Sequence, residues 1–360
     1  MKNNYVIIAL IILIFLIFAT VLIFNINTSK KEIVIGVPLA LTGNAASYGE
    51  ITKSGFDLAV EEINKTNELK IKLIYDDTKG DPKEAVAIIK KQIDYDNVNL
   101  FAGLIMSGEV LAVMPIVNDA NKILFNTYSS SNEISKTDFV FRNRETSDLH
   151  GKLITDYLIK NDLNKIVIFT AKASNSLAYT KSFKSEFESK GNILNSFDYL
   201  ADNQDFSNDL IKTKELNPDA IYISPTTVKD AIQILKQIKE FGIKSKVFST
   251  PALDSIDFMQ AKSDFNNEIY ISSPTLDENN PLTNQFIKNY IKKYNKEPSV
   301  FAANAYDAIY ILYSAIIVCD KNTLCIKNYL ETNTFDVAEG KIKFNEFGDV
   351  VKPLIIKRIN

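Results

Sequence analysis

Short runs of almost wholly apolar residues alternate with amphipathic segments along this chain, and that alternation limits its fold more than any other feature. Ile33-Val34-Ile35-Gly36-Val37-Pro38-Leu39 is rich in β-formers and closes at the turn residues Thr42-Gly43-Asn44. From Gly49 onward Ile51, Gly55, Leu58, Ala59 and Ile63 recur at helical spacing, with Glu61, Glu62 and Lys65 on the other side. Ile71 to Tyr75 reads as the next strand, and Asp81-Pro82 supplies an N-cap and a first-turn proline to a helix carrying Ala85, Val86, Ile89 and Ile93. Val98 to Leu104, a helix from about Glu109 to Asn121 and Ile123 to Asn126 extend the series. A strand apolar on both faces belongs to a parallel sheet that helices cover on both sides.

The polar stretch Arg142 to Asp148 reads as a hinge, after which the pattern repeats. Helices are predicted over 149–160, 176–189, 206–216 and 228–240, and strands at Ile166–Phe169, 193–199, Ala220–Ile223, Val247–Ser249 and Ile269–Ser272. Helices at 281–294, 302–318 and 323–331 and β-rich pieces at Lys341–Phe344 and Pro353–Ile359 close the chain. With 360 residues, 46% of them hydrophobic, there is material for two cores rather than one. Ligands in such α/β units bind outside the carboxyl ends of the strands.

Tyr5 to Phe24 contains no charge and, at about 1.5 Å per residue, spans roughly 30 Å, one bilayer core. The run ends in Asn25-Ile26-Asn27-Thr28 rather than in a small-x-small cleavage site, which favours an uncleaved anchor over a cleaved signal. No cysteine follows it to carry a lipid. Beyond residue 31, 38 basic residues face 44 acidic ones, a net charge of −6, which argues against a nucleic-acid partner. Cys319 and Cys325 flank a predicted turn at Asp320-Lys321-Asn322-Thr323; they read either as a local disulfide or as two buried small apolar residues.

The chemistry of catalysis is sparse. One histidine, His150, and two cysteines cannot build a zinc cage, no phosphate-cradling or nucleophile-elbow string occurs, and no cofactor is expected. His150 lies where the hinge meets a helix, a place for a surface or capping role. Asp76, Asp77 and Asp81 read as turn and cap residues.

From Ile33 nearly to the C-terminus the motifs follow one order. Ile35-Gly36-Val37-Pro38-Leu39 leads to Leu41-Thr42-Gly43, Tyr48-Gly49, Gly55, Leu58-Ala59 and Glu62-Ile63-Asn64, then to Tyr75-Asp76-Asp77, Asp81-Pro82 and Ala85. Later come Glu297-Pro298-Ser299, Ala302-Ala303-Asn304-Ala305-Tyr306-Asp307-Ala308, and Gly340-Lys341-Ile342-Lys343-Phe344 before Gly348-Asp349. In this the chain resembles the type I periplasmic solute-binding proteins of the leucine/isoleucine/valine group. The resemblance implies an α/β fold of two doubly wound, Rossmann-like lobes joined by a three-stranded hinge, carried here behind an N-terminal transmembrane helix. It places lobe one at 32–145 with 275–338 and lobe two at 146–274 with 339–360, after an anchor or signal segment at 1–31. It also implies export, so the body is expected outside the cytoplasm, anchored by the N-terminal helix, or secreted or periplasmic if that segment is cleaved.

The family holds a ligand carboxylate with hydroxyls and amides from two loops of lobe one, and residue-by-residue matching assigns these to Ser107 and Gly108, and to Tyr128, Ser130 and Ser131. Hydroxyls and amides at helix starts do favour an anion, although ordinary N-caps would place the same residues there. Tyr48 matches an aromatic wall of the ligand side chain, or a residue packing the helix start. In lobe two Asn175 replaces a Tyr-Gly loop, Thr226 or Thr227 replaces an aromatic contact, and Ala252 stands where an acid usually pairs with the ligand ammonium. Asp254 or Asp230 is the candidate substitute; otherwise the ligand is a carboxylate or amide without an ammonium. The resemblance thus implies a monomeric, non-enzymatic receptor that captures an amino acid or related molecule and delivers it to an ABC-type permease. The alternative is a ligand-sensing ectodomain, which would need a separate signalling partner.

Overall fold

The computed structural model describes residues 32–359 apart from 136, 137, 202, 204, 275, 278, 351 and 353; the hydrophobic segment at 5–24 lies outside the described residues. Two sheets divide the strands. The first runs β2 (Lys70–Asp77), β1 (Glu32–Leu39), β3 (Leu100–Gly103), β4 (Ile123–Asn126), β5 (Val140–Arg142), all parallel. The second runs β13 (Leu354–Arg358), β10 (Ile269–Pro274), β9 (Lys246–Ser249), β8 (Ala220–Ser224), β6 (Lys165–Ala171), β7 (Asn192–Tyr199), parallel except that β13 is antiparallel to β10. Leaving β13 aside, the two orders are equivalent: the first strand of each unit lies between the second and the third. The predicted repeat is therefore real in three dimensions, and each unit has a switch point beside its first strand.

The strands are apolar throughout because helices cover both faces. In the first unit α1 (Ala46–Thr66) and the long α10 (Val300–Cys319) pack on one side, and α2 (Pro82–Asp94) with α3 (Ser107–Asp119) on the other. A side chain at Gly55 would collide with the Ala302 carbonyl at 2.2 Å, so glycine is what lets α1 and α10 touch backbone to backbone. Although α10 is long and apolar enough to cross a membrane, it is largely buried in this core. α9 (Pro281–Tyr294) contributes Phe286 and Tyr290 to the same core, and α11 (Thr323–Thr332) contributes Ile326 and Leu330. In the second unit α4 (Ser147–Lys160) and α5 (Ser174–Phe187) cover one face, and α6 (Ser207–Leu216), α7 (Val228–Glu240) and the short α8 (Ile256–Ala261) the other.

The chain passes between the units at 142–147, at 274–281 and at 350–354. One boundary differs from the expectation. β12 (Gly340–Lys343) pairs with β11 (Thr334–Val337), and Ile342, Phe344 and Val350 are buried in the first core, so the last crossing comes after 350 and not at 338. The crossings are tied by buried charge. Arg142 Nε meets Asp349 Oδ1 at 2.5 Å, and Lys352 Nζ meets Glu339 Oε2 at 2.6 Å and Asn304 Oδ1 at 3.2 Å. Asp307 accepts the N–H groups of Ala338 and Glu339 at 2.8 and 2.9 Å. Cys319 and Cys325 are joined by a disulfide that links the end of α10 to the first turn of α11.

Candidate functional site

The carboxyl ends of equivalent strands meet across the gap between the units. From the first come Tyr48 after β1, Ile105, Met106 and Ser107 after β3, and Tyr128, Ser129 and Ser130 after β4. From the second come Asn175 after β6, Thr226 after β8, and Thr250 and Ala252 after β9. Arg144 from the first crossing, Tyr179 of α5 and Phe301 of α10 complete the lining. Some 400 Å³ of atom-free space, open solvent included, lies among these residues. This is where the switch points of two facing doubly wound sheets must lie.

The two serine-bearing loops are braced before any ligand arrives. Asn126, at the end of β4, donates Nδ2 to the carbonyls of Gly103 and Leu104 at 2.9 and 2.8 Å, and its Oδ1 accepts from Ser129 N–H at 2.8 Å. Glu109 reaches back to accept the N–H groups of Ile105 and Met106 at 3.1 and 2.8 Å, which pins the start of α3. Beneath the other loop Arg142 donates to the carbonyls of Ser131 and Ser129 at 2.7 and 3.4 Å and to Ser135 Oγ at 2.5 Å. Leu104 sits at φ +58, an uncommon conformation for a leucine, held by its N–H to the Pro38 carbonyl at 2.9 Å.

Several polar atoms of the lining are buried and have no hydrogen-bond partner within the protein: Ser107 Oγ, Tyr128 OH, Thr226 Oγ1 and Arg144 Nε. Orphan polar atoms are costly, and four around one cavity mark a surface built to receive a polar molecule. The aromatic side of the cavity is continuous: the Tyr128 ring lies 5.2 Å from Tyr48 and 4.4 Å from Phe301. Burial pushes the Tyr48 and Tyr128 hydroxyl pKa values upward, which keeps both neutral. Tyr48 OH donates across the gap to the Ala252 carbonyl at 3.0 Å, a direct tie between the units.

Arg144 is 2% exposed. Its Nη1 meets Glu145 Oε2 at 3.0 Å, its Nη2 donates to Tyr179 OH at 3.3 Å, and its guanidinium lies 4.8 Å from the Phe301 centroid. Burial works against its charge, but Tyr179, Glu145 and Tyr128 more than offset this and raise its pKa, so it stays a cation. His150 is fully buried, contrary to the surface or capping role expected of it. Its Nδ1 lies 2.9 Å from Ser272 Oγ, its ring packs on Tyr179 at 5.3 Å, and burial followed by the charge of Arg144 drives its pKa well below the usual value.

Of the residues singled out from the sequence, Tyr48, Ser107, Tyr128, Ser130, Asn175 and Thr226 line the cavity, while Gly108, Ser131, Thr227 and Asp254 do not. Ser131 Oγ accepts Glu133 N–H at 3.4 Å, in a separate groove. Thr227 caps α7, exchanging hydrogen bonds with Asp230 at 3.2 and 3.4 Å. Asp254 accepts from Ser273 Oγ at 3.2 Å and faces Lys357 Nζ at 3.5 Å. Gly108 lies where the units approach: a Cβ placed on it would stand 3.6 Å from Pro82 and 3.7 Å from Ser174 Oγ. Sequence reasoning missed Arg144, Tyr179, Thr250 and Phe301. Only Arg144 carried a signal: a second arginine in a stretch read as hinge.

Comparison with known proteins agrees with this geometry. Residues 32–360 match the family model described as periplasmic binding protein. The leucine-, isoleucine-, valine-, threonine- and alanine-binding protein of Pseudomonas aeruginosa is 23% identical over 334 residues, 90% of this chain and 88% of that one. A branched-chain amino acid transporter substrate-binding protein from Streptococcus pneumoniae, solved with isoleucine, superposes with a TM-score of 0.86 at 27% identity, covering 92% of this chain and 97% of that one. A solute-binding protein of an R. palustris ABC transporter, solved with benzoate, gives 0.84 at 19% identity over 91% and 93% of the chains. Two facing α/β units, a polar cavity at their switch points and a family match running from the first strand to the last residue agree, and this chain belongs to the periplasmic binding protein family.

Proposed function

We propose that this chain is an extracytoplasmic receptor that captures one small amino acid or related carboxylate or amide between its lobes and hands it to an ABC-type permease. In this reading Ser107 and Ser130 hold the carboxylate, Tyr48, Tyr128 and Phe301 cover its apolar part, and Asn175 and Thr226 close on it from the second lobe. The observation that carries the reading is the set of buried, unpartnered polar atoms facing one cavity. A receptor must keep such atoms unsatisfied until its solute supplies the partners. In this reading lobe one takes 32–142 with residues from 276 to 350, and lobe two the remainder of the described chain. The hydrophobic segment at 5–24 holds the receptor at the membrane as a monomer. The Cys319–Cys325 disulfide supports an oxidising, extracytoplasmic setting.

The test is a thermal-shift screen of the full chain in detergent against amino acids, amides and small carboxylates. A ligand at a hundredfold its Kd adds about 2.7 kcal/mol, enough to read as a clear rise in Tm. Stabilisation by at least one compound is expected; none from the whole panel contradicts the reading.

A further inference from the structure

The charge of the cavity has one sign. Among the described residues that line it, Arg144 alone carries a formal charge. Ala252, on the second unit's side of the lining, brings no charge, and its carbonyl is taken by Tyr48 OH at 3.0 Å. The acids whose fields reach Tyr48 and Tyr128 are engaged or outside: Asp230 caps α7, Asp254 faces Lys357 and Ser273, and Asp257 is exposed to solvent. Glu145 pairs with Arg144 but is not among the lining residues, so the guanidinium is what the cavity meets. Its Nε is buried and has no partner.

A ligand ammonium in this space would lie near a like charge and find no acid in the lining to compensate its desolvation directly. A carboxylate would be drawn to the arginine and to the orphan hydroxyls. We infer that the ligand is a small monocarboxylate without an ammonium group, its carboxylate held by Ser107 and Ser130 with Arg144 as countercharge, and its apolar body against Tyr48, Tyr128 and Phe301. This rests on the capture reading of the same cavity and narrows it to one chemical class.

The experiment titrates the full chain in detergent with matched pairs that differ in the ammonium: leucine and 4-methylpentanoate, phenylalanine and 3-phenylpropanoate, 2-phenylglycine and phenylacetate. The best acid should bind about tenfold or more tighter than the best amino acid, the scale expected for one desolvated charge pair. A tighter amino acid overturns the inference and leaves the capture reading standing, whereas binding by neither set overturns both. A second arm replaces the pair together, Arg144→Met with Glu145→Gln, so that no buried carboxylate is left alone, and Arg144→Lys keeps the charge. If the double variant melts cooperatively, it should lose the preference for acids while Arg144→Lys keeps part of it; an unchanged preference removes Arg144 from the role. Loss of amino-acid binding in Glu145→Gln alone would identify Glu145 as an ammonium acceptor and overturn the inference as well.

Discussion

Tyr48 joins the two lobes through a single hydroxyl, donated to the Ala252 carbonyl at 3.0 Å. Tyr48→Phe keeps the ring against Tyr128 and removes that tie, so the closed arrangement should lose about 1 kcal/mol and ligand affinity should fall several-fold, with little change in the stability of the ligand-free protein. Titration calorimetry and urea unfolding separate the two effects. Ser131 gives the opposite pattern: its hydroxyl only caps a short turn, so Ser131→Ala should cost about 0.5–1 kcal/mol of stability and leave affinity unchanged. Ser107, Ser130 and Tyr48, which line the cavity, were reached through the family resemblance; the sequence by itself added only that the two serines follow apolar strands, where an ordinary N-cap would also stand. Phe301 and Tyr179 were not legible, because nothing local distinguishes a cavity-facing ring on a helix from a core ring.

At the scale of elements, runs apolar on both faces and clear helical spacing placed most strands and helices within two or three residues. α8 escaped because six residues are too short to show a helical period, β5 because Val140-Phe141-Arg142 ends inside the polar stretch read as hinge, and β11 because exposed Thr334 and Asp336 break the apolar run that marked β4. β12 was recognised as a strand, but its lobe was misplaced, since its partner β11 was not seen. The disulfide closes a span of six residues between α10 and α11, and loop entropy alone gives it about 2 kcal/mol. Replacing both cysteines by serine should lower the unfolding free energy in urea by that order. Binding should be unaffected, because Phe301, the cavity residue on the same helix, lies roughly 27 Å away at 1.5 Å per residue.

At the scale of the molecule, the hinge gathers groups that titrate against their burial. Burial raises the carboxyl pKa values of both Asp307 and Glu339, with Lys352 alone drawn between them, so the folded state holds protons that an unfolded chain releases above about pH 4. Stability from this source is present at low pH and is lost as the pH rises through neutrality. His150 acts in the other direction: with its folded pKa depressed, the unfolded chain takes up a proton that the folded state refuses, and stability falls below about pH 6.5. Near neutrality and just above it the carboxyls set the slope, the buried tyrosines entering only as the pH nears 10, so urea titrations there should show stability declining with pH, and Glu339→Gln should flatten the decline. An equal slope in the variant would remove Glu339 from the account.

On the proposed reading the cavity between the lobes grips the charged end of a small solute through the serine hydroxyls of the first lobe, the unpartnered Ser107 and its neighbour in the lining Ser130. Titration calorimetry of the full chain with its best carboxylate, set beside the Ser107→Ala, Ser130→Ala double variant, tests that claim most directly. One site per chain is expected, with affinity lost by about tenfold or more in a variant that still unfolds cooperatively. Equal affinity in the two proteins would contradict it.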